Sequence, residues 1–316
     1  MYAHLEDYRV QRIVDETVGE IIDYGVKMVG AALEWPETMG ENIRVGVIDT
    51  GIDLYHQDLR KNIKGYMNFT TDNKRDVTDE NGHGTHVAGI VAAAKNNFGV
   101  IGVAPKADLY IAKVFGKDGT AQTENISKSV DFMLDSEVQI INMSFSTDGY
   151  DPEFEKQIQK AFDKGVVMVC AAGNDGMRPG DTIRYPARFD QTISVAAVDL
   201  DRQRAPFSSR GEAVDVAAVG TEILSCYPGN KFARLSGTSM AAPIISGAAA
   251  IMQAKAKTRL GRFLMPDEMK LVLSMYTEDL GQQGRDTYFG AGLFSFARLC
   301  NMKNNSVARA AGKIFA

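Results

Sequence analysis

A chain of 316 residues with 45% hydrophobic and 24% charged residues has the make-up of a globular protein, and α/β folds of this length often form one unit. Its net charge of -5 argues against nucleic acid or an anionic membrane as the main partner. No apolar run reaches the length of a membrane-spanning helix, and the charged residues scattered through positions 1–20 exclude the apolar core of a signal peptide.

In chain order, residues 1–23 form a charged amphipathic stretch in which Val10, Ile13, Val14, Val18, Ile21 and Ile22 recur at helical spacing. Turns follow at Trp35-Pro36 and Met39-Gly40. The run IRVGVI, 43–48, predicts a buried strand that stops at Asp49-Thr50-Gly51. Further strands are predicted over 109–114, 138–143, 166–171 and 193–198. Helices are predicted over 84–94, 124–134, 152–163, 241–256 and 266–274. Unbroken apolar strands alternating with helices imply an α/β fold with a mostly parallel sheet covered on both faces. In such sheets the working residues collect at the carboxyl ends of the strands. The stretch 198–229 is rich in Gly, Pro, Ser and charge and should be mostly loops and short strands. The polar, basic stretch 301–316 reads as a tail. Cys170, Cys226 and Cys300 are far apart and odd in number, which fits reduced thiols in a cytoplasmic protein better than a disulfide framework.

Four sites in this pattern carry chemistry. Leu235 to Gly247 reads LSGTSMAAPIISG, and positions 241–254 are uncharged and alanine-rich, the pattern of a helix buried on all sides. Pro243 is expected in the first turn of that helix. Ser239 then stands at the helix mouth, where unpaired N–H groups and the positive end of the dipole converge. Asp49 ends the first sheet strand in VIDTGID, His83 lies in NGHGTHVAGI between Gly82 and Gly84, and Asn174 lies in AAGNDG. Each has an ordinary structural explanation alone: a cap serine, a turn aspartate, a helix histidine, a turn asparagine. A zinc pair of His83 and His86 lacks a third ligand at suitable spacing. Together the roles interlock. Ser239 is a weak nucleophile alone, His83 can take its proton, Asp49 can orient the imidazole, and Asn174 can hold the oxyanion beside the Ser239 N–H.

The order Asp49, His83, Ser239 and the signatures VIDTGID, HGTHVAG, AAGND and GTSMAAP resemble the subtilisin-like serine proteases, from about Tyr24 to about Leu299. The resemblance implies a three-layer subtilisin-like fold over 24–300, preceded by an extension, 1–23, and followed by the tail, 301–316. It implies Asp49, His83 and Ser239 as the triad and Asn174 as the oxyanion donor. A donor of that kind lowers the barrier by roughly 3–4 kcal/mol, a figure that comes from subtilisin itself. It further implies polypeptide substrates clamped as a strand between the loop Gly119, Thr120, Ala121 and the strand Ser144, Phe145, Ser146, with Ala172 and Gly173 beside them and Asn81 next to the histidine.

A structural calcium site is implied in AAAKNNFGVIGVAP, with side chains from Asp58, Asn96 and Glu20 and the carbonyls of Ala94, Phe98 and Val100. By the same resemblance, the short extension suggests the intracellular branch of the family. It suggests that residues 1–18 block the cleft until self-processing near Gly19, although the branch's usual proline-containing inhibitory motif is absent. The family also leaves room for a homodimer.

Three departures stand out. Phe145, Ser146 and Thr147 replace the family's Leu-Gly-Gly after Ser144, Asp175 beside Asn174 suggests an attraction for basic side chains, and Cys226 falls in a loop on the leaving-group side. Two other functions fit the same fold. A peptide ligase or macrocyclase would need a water-excluding lid, for which there is no long insertion. A non-catalytic peptide-binding relative would have lost a triad residue, and none is lost.

Overall fold

The computed structural model describes residues 1–5, 8–15, 17 and 19–298; the tail and Cys300 lie outside them. The chain opens with β1 (Tyr2–Leu5) and β2 (Arg9–Val14), then the short helices α1 (Tyr24–Met28) and α2 (Ala31–Glu34). It continues through β3 (Arg44–Asp49), β4 (Ile63–Asn68), α3 (His83–Ala92), β5 (Asp108–Lys113), β6 (Thr120–Gln122), α4 (Thr123–Asp135), β7 (Ile140–Met143), β8 (Phe145–Thr147), α5 (Pro152–Asp163), β9 (Val167–Ala171) and β10 (Ile193–Val198). The last part holds β11 (Val216–Val219), β12 (Ile223–Tyr227), β13 (Lys231–Ser236), α6 (Thr238–Leu260), α7 (Pro266–Met275), β14 (Thr277–Glu278) and β15 (Leu293–Phe294).

A nine-stranded sheet in the order β14-β15-β11-β10-β9-β7-β3-β5-β4 forms the centre. All its pairings are parallel except β14 with β15. Every residue of β7, β9, β10 and β11 is buried, which is why these strands read as unbroken apolar runs. Helix α6 is buried from Thr238 to Ala256 and packs against α3 and the strands β7, β9, β10 and β11. Helices α4 and α5 pack on each other, and α5 buries only Phe154, Ile158 and Ala161, one face at helical spacing. The start of α5 is fixed by Asp151, whose carboxylate accepts from the Glu153 and Phe154 N–H groups, with Pro152 at the first helical position. This is the mixed α/β, mostly parallel architecture that the sequence implies.

Two local expectations fail. The extension is not helical. Its residues form two strands, each paired with a partner more than a hundred positions away, and Val10 and Ile13 are 45% and 50% exposed. Strand pairing across the fold overrides a helical spacing that had no apolar face to bury. Helix α6 begins at Thr238, three residues earlier than the predicted 241, so Ser239 lies inside the first turn and Pro243 lies within the helix. Pro243 has no N–H to give to the carbonyl four residues back, that of Ser239. The Ser144 hydroxyl donates to that carbonyl instead, at 3.2 Å, so the proline leaves no acceptor unbonded.

Candidate active site

Asp49 stands at the carboxyl end of β3, flanked in the sheet by β5 and β7, and is wholly buried. His83 is the first residue of α3 and is also wholly buried. Its Nδ1 lies 2.8 Å and 3.0 Å from the two Asp49 carboxylate oxygens. That contact fixes Nδ1 as the protonated nitrogen facing the carboxylate and leaves Nε2 as the basic one. Among the described residues Nε2 has no hydrogen-bond partner. The glycines around His83 are required by space. Gly82 has φ +101°, and a Cβ there would lie 2.3 Å from the Tyr227 ring; one on Gly84 would lie 2.3 Å from the Gly51 carbonyl.

A residue that the sequence reading passed over holds this corner together. Asp79 is buried, and one carboxylate oxygen accepts from the Thr50 hydroxyl and the N–H groups of Asn81 and Gly82. The other accepts from the N–H and hydroxyl of Thr85, at 2.9 Å and 2.6 Å. Asp79 thus ties the residue after Asp49 to both sides of His83. Its signal was an acidic residue four positions before the histidine in DENGHG, ahead of a helix start. Asp79→Ala leaves several buried donors without an acceptor, each costing about 1–3 kcal/mol. We expect a loss of roughly 3–5 kcal/mol, comparable to breaking a buried charged contact, read as a melting temperature lowered by about 10 °C or more.

Ser239 is buried in the first turn of α6. Its hydroxyl donates to the Ser144 carbonyl at 3.2 Å. Asn174 sits on the loop after β9, where its Oδ1 accepts from the N–H and hydroxyl of Thr238, both at 3.0 Å. These bonds turn the amide nitrogen away from Thr238. Ala172 and Gly173 are buried in the same loop, held by the Val195 carbonyl and the Thr238 hydroxyl. The structure thus joins Asp49 to His83 and Asn174 to Thr238, the neighbour of Ser239; Tyr8 links the two pairs, its ring on His83 and its Cβ beside Gly237, while the Ser239 hydroxyl is bonded to Ser144 and not to His83.

The extension lies beside these pairs. Strand β1 runs antiparallel between β6 and β8: Ala3 pairs with Ala121 and Thr147, His4 with Thr120 and Ser146, and Leu5 with Phe145. The Leu5 N–H donates to the Gly119 carbonyl at 2.9 Å. Of these, Gly119, Thr120, Ala121, Phe145 and Ser146 are singled out in sequence as a peptide clamp; Thr147 is not, and Ser144, which is, does not pair with β1. Three positions after Leu5, Tyr8 lays its ring against His83, with centroids 4.9 Å apart, and its hydroxyl donates to Asn81 Oδ1 at 2.7 Å. Burial pushes the Tyr8 hydroxyl far above its ordinary range, so it stays protonated as a donor.

Two departures read differently in three dimensions. Asp175 is no free carboxylate for a basic side chain, because Arg184 Nη2 and Arg178 Nε reach it at 2.6 Å and 3.2 Å. Cys226 is in strand β12, not a loop, and is wholly buried; burial raises its thiol well above the usual range, which makes it inert toward thiol reagents. It adjoins His56 and Asp58, but His56 Nε2 is bonded to the Lys231 carbonyl and Nδ1 accepts from the Asp58 N–H. His86 is a buried helix histidine: Nε2 faces the carbonyls of Ile223 and Ala233, Nδ1 has no hydrogen-bond partner among the described residues, and burial lowers its pKa to about 3, so it stays neutral.

The residues of the calcium expectation are gathered at one loop. Glu20 Oε1 accepts from the N–H groups of Asn96 and Asn97, held there because Ile21 pairs with Val100. Asp58 accepts from the Asn96 amide at 3.0 Å and the Val100 N–H at 2.9 Å. Burial, with Glu20 adding repulsion, raises Asp58 to about 6. Glu20 and Asp58 thus bring two carboxylates to the 96–100 loop, where each accepts from N–H groups of the loop; carboxylates are the usual ligands of a hard cation.

Comparison with known proteins agrees with this geometry. The subtilase family model matches residues 40–292. An intracellular serine protease of Paenibacillus polymyxa is 40% identical over 284 residues, 88% of this chain and 86% of that protein. The major intracellular serine protease of Bacillus subtilis (strain 168) is 40% identical over 252 residues, 78% and 79% of the two chains. Subtilisin DY of Bacillus licheniformis is 37% identical over 278 residues, 87% and 97%. The class defined by fold and site is a serine-type endopeptidase. The chain belongs to the subtilase family.

Proposed function

We propose that the chain cleaves polypeptides through an acyl-enzyme on Ser239. The observation that carries this reading is a peptide, the chain's own extension, held as a strand in the clamp while Tyr8 covers His83. In the reaction His83 Nε2 takes the Ser239 proton as Oγ attacks the carbonyl, and Asp49 stabilises the imidazolium. The Asn174 amide and the Ser239 N–H hold the oxyanion. His83 gives its proton to the departing amine, and the acyl group leaves with water that His83 deprotonates in turn. Peptide cleavage by the purified protein, followed by fragment mass, tests the reading: hydrolysis adds one water, whereas ligation would not. Asn174→Ala is expected to lower kcat by roughly 10²–10³, the size of the effect in subtilisin itself, with KM little changed.

The same reading assigns the extension to inhibition in the cytoplasm, relieved by self-cutting near Gly19, and assigns the Glu20 and Asp58 loop to calcium. Glu20, Asp58, Asn96 and the carbonyls of Ala94, Phe98 and Val100 would hold the ion, which supplies charge neutralisation to the fold and no chemistry to the cleft. A ligand at 100 times its dissociation constant stabilises by about 2.7 kcal/mol. Chelator is therefore expected to lower the melting temperature by several degrees, reversed by calcium and not by magnesium; an unchanged melting curve would remove calcium from the account.

A further inference from the structure

Lys113 is the one charged residue in the predicted strand 109–114, and it is only 5% exposed. It ends β5, beside Asp49 in the parallel register of β3 with β5, so the two side chains leave the sheet on the same face. Its ammonium donates to the Thr50 carbonyl at 2.9 Å and to the Thr78 carbonyl at 2.6 Å. A buried ammonium bonded only to neutral carbonyls is costly unless opposite charge stands near. Thr50 follows Asp49 and Thr78 precedes Asp79, and both of those carboxylates are buried. Resting on the peptidase reading above, we infer that Lys113 is a positioning residue for the Asp49–His83 pair: it staples the turn after Asp49 to the turn before His83, and its charge keeps His83 free to act as a base.

The staple belongs to a set of bonds that fix Asp49. The Thr50 N–H donates to Asp49 Oδ1 at 2.7 Å, and the Thr50 hydroxyl donates to Asp79 at 2.8 Å. Beside them the Ile52 N–H donates to the Val77 carbonyl at 2.9 Å. The next residue along β5, Val114, donates its N–H to the Asp49 carbonyl, also at 2.9 Å. Lys113 is therefore tied to Asp49 through its own strand and through Thr50.

The charge acts on the proton. Among the described residues the ionisable groups around His83 are Asp49 from β3, Asp79 from the turn before α3, His86 in α3, Tyr227 from β12, Tyr8 from the extension and Lys113 from β5. Helix α6 brings none, since 238–254 is uncharged. Burial holds His86 neutral and keeps both tyrosines protonated. With His83 neutral, the corner then carries two negative charges and one positive, and taking the Ser239 proton brings it to neutrality. Without Lys113 two carboxylates would face His83 with no cation between them, and would favour the imidazolium before Ser239 gives up its proton. An imidazole already protonated cannot serve as the base.

The test is the pH dependence of kcat/KM for one peptide, measured on the full chain. The tethered extension is the same in parent and variants, so differences between their profiles do not depend on it. Lys113→Gln keeps a donor and removes the charge. Its acid limb is expected about one pH unit above the parent's, a tenfold loss on the limb, with the alkaline plateau lowered only a fewfold. Lys113→Arg keeps the charge and is expected to leave the limb in place. Asp79→Asn removes a negative charge from the same corner and is expected to move the limb to lower pH, so the coupling can be read even where a Lys113 variant fails to fold. The His83 ring proton, followed by NMR and assigned among the four histidines by its loss in His83→Ala, should move with the limb. A lowered plateau with an unmoved limb in Lys113→Gln would overturn the inference and leave Lys113 a structural staple alone. An equal shift in Lys113→Arg and Lys113→Gln, or a limb indifferent to Asp79→Asn, would overturn it too. No cleavage by the parent at any pH would strike the peptidase reading instead, and the NMR titration of His83 would still decide the charge coupling.

Discussion

Replacing Ser239 with alanine is expected to abolish peptide hydrolysis, with kcat falling by about 10⁶, the loss known for the nucleophile of subtilisin itself. The hydroxyls of Thr85 and Thr238 at the same helix starts are bonded to Asp79 and Asn174, so neither is expected to stand in as nucleophile. The fold should survive. Alanine is the best helix former, and the change removes one hydroxyl whose bond to the Ser144 carbonyl contributes about 1 kcal/mol. Activity and stability therefore separate in this variant. A mutant that melts within a few degrees of the parent but does not cut is the expected result, and hydrolysis by it at the parental rate would remove Ser239 from the mechanism.

The second large effect is release of the cleft. A tethered segment occupies the cleft at an effective concentration in the millimolar range, so a segment whose own dissociation constant is about 10 μM suppresses kcat/KM about 100-fold. Removal of residues 1–18 is expected to raise kcat/KM by about that factor. The full-length variant His4→Pro should act in the same direction, because β1 is paired on both sides and proline cannot supply its ladder bond. Its core is untouched, so it remains informative if the shortened chain folds poorly. Mass spectrometry of the active form gives the complementary result: full activity with residues 1–18 still attached would contradict inhibition by the extension.

How far the sequence reached depended on how local the cause was. The strands of the sheet were legible because burial on both faces leaves continuous apolar runs, as in the 193–198 run that became β10. The placing of Asp49, His83, Asn174 and Ser239 at element ends was legible because each lies near glycines whose missing side chains make room for neighbours, as Gly82 does for Tyr227. The extension was misread because its structure comes from strands at 120–122, 145–147 and 231–236, which no local pattern reports. Asp79 was missed because a turn carboxylate is common, and its five donors converge only after Thr50 and Thr85 meet in space. The start of α6 was placed late because Pro243 argued for a first-turn position, and the Ser144 hydroxyl that relieves the proline lies 95 positions away.

The most direct measurement is reaction of the extension-free enzyme with a serine-directed fluorophosphonate, followed by peptide mapping. The account predicts one adduct, on Ser239, with activity lost in proportion to labelling and no adduct in His83→Ala. An enzyme that cleaves peptides while Ser239 stays unmodified, or that carries its adduct on another serine, would contradict it.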